Sequence, residues 1–104
     1  MLFIVYFGLT LPETFYFDLF DRLDLLGPNI CIYENCYLLD SRMTAWGIRQ
    51  FLIGYLSQND TMVISRMQWD YCAGKLPPVL KKFVSRHLGP KPTEDRFHPK
   101  PSKF

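Results

Sequence analysis

Several signatures are missing from this chain, and each absence removes a class of function. The six glycines are scattered, so there is no glycine-rich loop to cradle a phosphate. His87 and His98 stand among lysines with no nucleophile signature beside them. Three cysteines, Cys31, Cys36 and Cys72, lack the second Cys/His pair that a zinc site needs, and they read as core thiols. The longest apolar stretch, Met1 to Leu11, is far short of the roughly 20 residues that cross a bilayer. It also lacks the basic start and small-residue cleavage site of a secretion signal. Free thiols and no signal point to a reducing cytoplasm.

With 104 residues there is room for one core and no second. Nine Phe, six Tyr and two Trp are many for this size, which predicts a dense core and a face covered by a partner. Trp46 and Trp69 read as packing residues at a helix–sheet or dimer interface rather than as stacking platforms. The net charge of +2 hides an asymmetry. Residues 1–70 carry eight acids against four bases, and residues 71–104 carry two acids, Glu94 and Asp95, against eight bases. Such a basic end either lies against its own acidic domain or reaches for nucleic acid or an acidic protein.

Leu2 to Phe7 is a continuous apolar run, the pattern of a central strand buried on both faces. Thr10, Pro12 and Glu13 have the form of a helix start, with Thr10 as cap. The helix runs to Leu26 and carries Tyr16, Leu19, Phe20, Leu23 and Leu26 on one stripe. Asn29 to Asp40 alternates around Glu34-Asn35, the spacing of a hairpin, with Tyr33 opposite Cys36, Ile32 opposite Tyr37 and Ile30 opposite Leu39. Thr44 caps a second helix to about Leu56, with Ile48, Leu52, Tyr55 and Leu56 buried. Thr61 to Trp69 is a fourth strand, and Pro77-Pro78 open a third helix that ends at Leu88. The order is βαββαβ. Right-handed crossovers place both main helices on one face of an antiparallel sheet, an α+β, ferredoxin-like domain over residues 1–88. Residues 89–104 form a basic Pro/Lys-rich tail, with Pro90-Lys-Pro92 and Pro99-Lys-Pro101 extended. The second sheet face is left apolar and open, which predicts a homodimer whose interface includes Cys31, Tyr33, Tyr37 and Leu38.

Lys75, Lys81, Lys82, Arg86 and Lys91 are the candidate contact cluster, because phosphate neutralisation needs cations along one surface. Asp18, Asp21 and Asp24 recur at intervals of three and read as a solvated face, with Arg22 placed to pair Asp18. No metal or cofactor site is expected.

The stretch Thr44 to Asp60 (Thr-Ala-Trp-Gly-Ile-Arg-Gln-Phe-Leu-Ile-Gly-Tyr-Leu-Ser-Gln-Asn-Asp) resembles a helix-plus-turn motif of small SinR-like proteins. These are similar to the small CRISPR-associated adaptation nuclease. The opening strand ending in Tyr6, the Tyr37-Leu-Leu39 strand, and Asp70-Tyr-Cys-Ala-Gly-Lys-Leu-Pro77 agree with it, so the resemblance covers residues 2–88. It implies a ferredoxin-like homodimer related to prokaryotic defence or mobile elements, and no activity; the small size and aromatic content permit a phage-encoded inhibitor of a defence complex as one version. The nuclease relatives carry a metal-binding Asp at the end of the first strand, where this chain has Phe7 and Gly8. Mg²⁺ requires oxygen ligands, so the expectation is a non-catalytic binding module. The alternative is a nuclease that uses other acids.

Overall fold

The structure, a computed structural model, describes residues 1–68 and 75–89 of the chain. Its centre is strand β1 (Leu2–Gly8), paired antiparallel on one side with β3 (Cys36–Asp40) and on the other with β4 (Thr61–Arg66). Strand β2 (Asn29–Tyr33) adds antiparallel to the outer edge of β3, so the order is β2-β3-β1-β4. Three α-helices among the described residues complete an α+β architecture: α1 (Phe17–Leu26), α2 (Ala45–Leu52) and α3 (Pro78–Leu88).

Because strand side chains alternate, β1 feeds two cores. Phe3, Val5 and Phe7 point one way and are buried with Leu39 under Tyr16, Leu19 and Leu23 of the first helical segment and Ile48 and Leu52 of α2. Phe7 meets Phe20 and Tyr37 edge to face there, with centroids 6.0 and 6.1 Å apart, and Phe20 and Tyr37 are tilted to one another at 5.7 Å. Leu2 and Ile4 point the other way, toward Leu38, Met67 and Val84 of α3.

That second core corrects the expectation of an open face. Helix α3 lies across it, with Val84 fully buried beside Leu2, Leu38 and Met67, and Ile4, Ile30, Ile32, Leu76, Phe83 and Leu88 packed against that cluster. Pro77 and Pro78 start α3, the one place in a helix where a missing N–H costs nothing. Val84, buried, and the partly buried Phe83, His87 and Leu88 are spaced at three and four positions, so even eleven residues present a continuous stripe. Burying a side chain the size of Val84 contributes about 1.5 kcal/mol or more, which fastens the helix to the sheet.

The hairpin differs from its expected register. Tyr33 does oppose Cys36, but Cys31 opposes Tyr37 and Ile30 opposes Leu38. One extra residue of β2 is accommodated between Cys31 and Tyr33 as a bulge, and a one-residue slip moves every earlier side chain to the other face. Ile30 and Ile32 therefore join Leu38 under α3, while Tyr37 and Leu39 turn to α1 and α2.

Helix caps divide the same way. Thr44 caps α2, its hydroxyl accepting from the Gly47 amide at 3.0 Å. Thr10 caps nothing. A 3₁₀ turn at Glu13–Tyr16 precedes α1, and Thr10 bonds instead to Asp60 through both its amide and its hydroxyl (2.8 Å each). Tyr55, expected in the buried stripe, is exposed because the chain leaves α2 in a 3₁₀ turn, Ile53–Tyr55. Strand β4 ends at Arg66, short of Trp69, which lies outside the described residues together with Cys72, Lys91, His98 and the rest of the tail.

Candidate functional site: the basic helix and the open end of the sheet

With Val84 and Phe83 held against the sheet, the other side of α3 faces outward. Lys82 and Arg86 are exposed there, Lys81 is exposed on a flank of the helix, and Lys75 is exposed just before it. Pro78, Lys81, Lys82, Ser85 and Arg86 line a shallow hollow of about 680 Å³. Helix α3 contains no acid, and no carboxylate among the described residues pairs with any of these four cations. Three of the five residues picked from the sequence, Lys81, Lys82 and Arg86, thus line one hollow, and Lys75 is exposed ahead of the helix.

A different polar contact holds the helix end. His87 Nδ1 donates to Asp40 Oδ2 at 2.8 Å, and the Met1 ammonium reaches Asp40 Oδ1 at 3.1 Å. Burial pushes the Asp40 carboxyl up, but the His87 hydrogen bond and the ammonium outweigh it and hold the group below the usual carboxylate range. His87 is therefore an anchor, not the free surface residue its lysine-rich surroundings suggest. The nearby Phe83 ring, with its centroid 4.2 Å from the imidazole, packs beside it.

Beyond the reach of α3, the same sheet face carries a row fixed by strand register. Tyr33 opposes Cys36, Cys36 opposes Tyr6, and Tyr6 opposes Val63, so one line of side chains crosses all four strands. Tyr33 is 76% exposed, Val63 59% and Tyr6 46%, although all sit on a sheet. Above the row stand Gly8 and Thr61, and below it Ser65 ends the next row. The Cys36 thiol is pushed up by burial and by nearby Cys31, which keeps it protonated and a poor nucleophile at neutral pH.

The expected dimer interface does not assemble as one surface. Leu38 is buried beneath α3, Tyr37 packs into the opposite core, and only Cys31 and Tyr33 are exposed. The bulge in β2 and the docking of α3 are the reasons. Tyr6 and Val63 are members of the open surface that residue spacing did not reveal. Their place in one row with Tyr33 was hidden in strand pairings that alternation does not specify.

The far layer has the opposite charge. Asp18, Asp21 and Asp24 are exposed on α1, and Asp24 accepts from the Asn29 amide at 3.0 Å. Arg22 does not pair with Asp18. Its guanidinium lies 3.6 Å from the Phe51 ring centroid and 5.1 Å from that of Tyr55, bridging α1 to α2. Trp46 is exposed rather than packed between helix and sheet, with the Arg49 guanidinium 4.8 Å from its ring centroid. Among the described residues no three His, Cys, Asp or Glu side chains come together as a metal site, and no helix is long and apolar enough to cross a membrane.

No protein-family model, no characterised protein sequence and no solved structure matches the chain.

Proposed function

We propose that this chain is a binding module of ferredoxin-like βαββαβ type, extended by α3, that engages a polyanionic partner through Lys75, Lys81, Lys82 and Arg86. The observation that carries the reading is the outer face of α3: exposed cations with no carboxylate partner among the described residues, on a helix anchored by Val84 and His87. The strand order β2-β3-β1-β4, with α1 and α2 on one face, supports the fold assignment. Cations arranged in this way attract phosphates without regard to sequence, because backbone contacts position a nucleic acid rather than read it.

The module works without catalysis. Phe7 stands where the resembled nucleases hold a metal-binding Asp, and its ring is buried against Phe20 and Tyr37. Incubation of clean protein with DNA and RNA in Mg²⁺ or Mn²⁺ should give no EDTA-sensitive cutting. The resemblance of Thr44–Asp60 to SinR-like proteins supports a homodimer and a link to prokaryotic defence, and the small size and aromatic content permit a phage-encoded inhibitor.

The direct test is a salt series. Affinity for DNA should fall with added salt, and exchanging Lys81, Lys82 and Arg86 for Ala should lower both affinity and the log–log slope, by roughly 0.7 to 0.9 for each phosphate left without its cation. Equal binding by wild type and triple variant at every salt concentration would overturn the proposal.

A further inference from the structure

Resting on that reading of α3, we infer that the open row Tyr33–Cys36–Tyr6–Val63 is a stacking platform for the bases of a single-stranded nucleic acid whose phosphates follow α3. Three features on one side of the sheet meet this chemistry. The first is the aromatic surface itself. Tyr6 and Tyr33 are separated by β3, two strand spacings or about 10 Å, so each ring takes its own base. Val63 extends the apolar seat to the β4 edge. Every base has a π-face, so exposed tyrosines on a sheet bind single strands with little regard to sequence.

The second feature is shape. Helix α3 covers the half of the face that carries Leu2, Leu38 and Met67, and stops beside Ile4 and Ile32, the neighbours of Tyr6 and Tyr33. A helix of roughly 10 Å diameter standing on half a sheet leaves a step. An extended strand fits along such a step. A second copy of this chain does not, because flat sheet-on-sheet packing is blocked by α3 and brings the lysines of two α3 helices together.

The third is charge. Relative to Val84, His87 and Lys81 project about 60° to either side of the helix. His87 reaches Asp40 at the Leu2 end of the sheet, away from the tyrosines, which leaves Lys81 on the opposite flank. Asp40 is the one carboxylate the register places on this face of the four strands, and it is already held by His87 and the Met1 ammonium. Glu34 lies in the turn past the row.

The test compares fluorescently labelled oligothymidylate and oligouridylate of roughly 12 nucleotides with a duplex of equal length. Wild type should bind the single strands more tightly than the duplex. Tyr6→Ala and Tyr33→Ala should each weaken single-strand binding about 5- to 150-fold, with salt slope and duplex binding unchanged and Tyr→Phe retaining affinity. Unchanged single-strand binding in both alanine variants, or parallel loss of both ligands, overturns the platform. Loss in Lys81→Ala/Lys82→Ala/Arg86→Ala with no effect of either tyrosine leaves the reading of α3 standing and removes this one. A dimer in sedimentation that Tyr33→Ala dissolves assigns the row to a second copy and also overturns it. Far-UV circular dichroism of each variant checks that the fold is retained. Tyr33→Ala, at the more exposed position, decides the matter if Tyr6→Ala unfolds.

Discussion

His87 on α3 donates a 2.8 Å hydrogen bond to Asp40 at the end of β3, and this contact ties the basic helix to the sheet across 47 residues of sequence. Beside it Phe83, Val84 and Leu88 supply the apolar hold. Charge-assisted hydrogen bonds of this kind are worth about 1.5 to 3 kcal/mol. His87→Ala should therefore lower stability by about 1 to 2 kcal/mol in chemical denaturation. It should raise amide exchange in residues 78–88 more than in β1. Uniform exchange across the domain would show that the contact does not hold α3 in particular.

A charge placed beneath α3 should release it. Val84 is fully buried, and Val84→Asp puts a carboxylate among Leu2, Leu38 and Met67 with no partner in that cluster. The expected cost is about 3 kcal/mol or more, with rapid proteolysis near α3 and new binding of a hydrophobic dye. A variant as protease-resistant as wild type would mean that α3 does not cover the sheet.

How much of this the sequence disclosed depends on the range of the interaction. The Leu2–Phe7 run, the Tyr16–Leu19–Leu23 stripe and the Thr44 cap are local patterns, and each forms the element its spacing predicts, although Tyr6 in the central strand is exposed rather than buried. The bulge between Cys31 and Tyr33 is invisible to alternation, since both neighbouring registers keep apolar residues on each face. Helix α3 was legible as a helix, but nothing within Pro78–Leu88 says which surface it covers. Thr10 has the chemistry of a cap and a stronger partner 50 residues away in Asp60. The basic cluster was legible because charge density needs no tertiary information. The Tyr6–Tyr33–Val63 row was not, because it exists only across strand pairings.

Asp60 gives the fold an acid limit. Burial pushes its carboxyl up, but donors from the Ser57 amide, Thr10 and Tyr16 together outweigh it and hold the group far below the usual range. A carboxyl whose folded pKa is depressed contributes stability that is fully present above its unfolded pKa, near 4, and is lost as pH falls through the folded one. Asp40 acts with the same sign. Stability should be flat from about pH 7 to 5 and fall below about pH 4. Asp60→Asn should lower the plateau by about 1 kcal/mol, a value kept small by solvent screening, and make the acid limb shallower. An acid limb identical in Asp60→Asn and wild type would exclude this role.

Gly27 is fixed by its surroundings. Its φ is +147°, and a Cβ there would run into the Asp40 carbonyl oxygen, so α1 turns into β2 only with glycine. Gly27→Ala should cost about 2 kcal/mol or more, whereas Gly54→Ala, with open space around it, should be close to neutral. Equal effects of the two substitutions in thermal melts would contradict this.

The central claim is that the ligand lies on the α3 side of the sheet, and an amide chemical-shift titration with oligothymidylate tests it most directly. Signals at Lys75, Lys81, Lys82 and Arg86 and at Tyr6, Tyr33 and Val63 should be perturbed, with Asp18, Asp21 and Asp24 on the acidic layer unmoved. Shifts confined to α1 and α2, or no shifts at low salt, would contradict it.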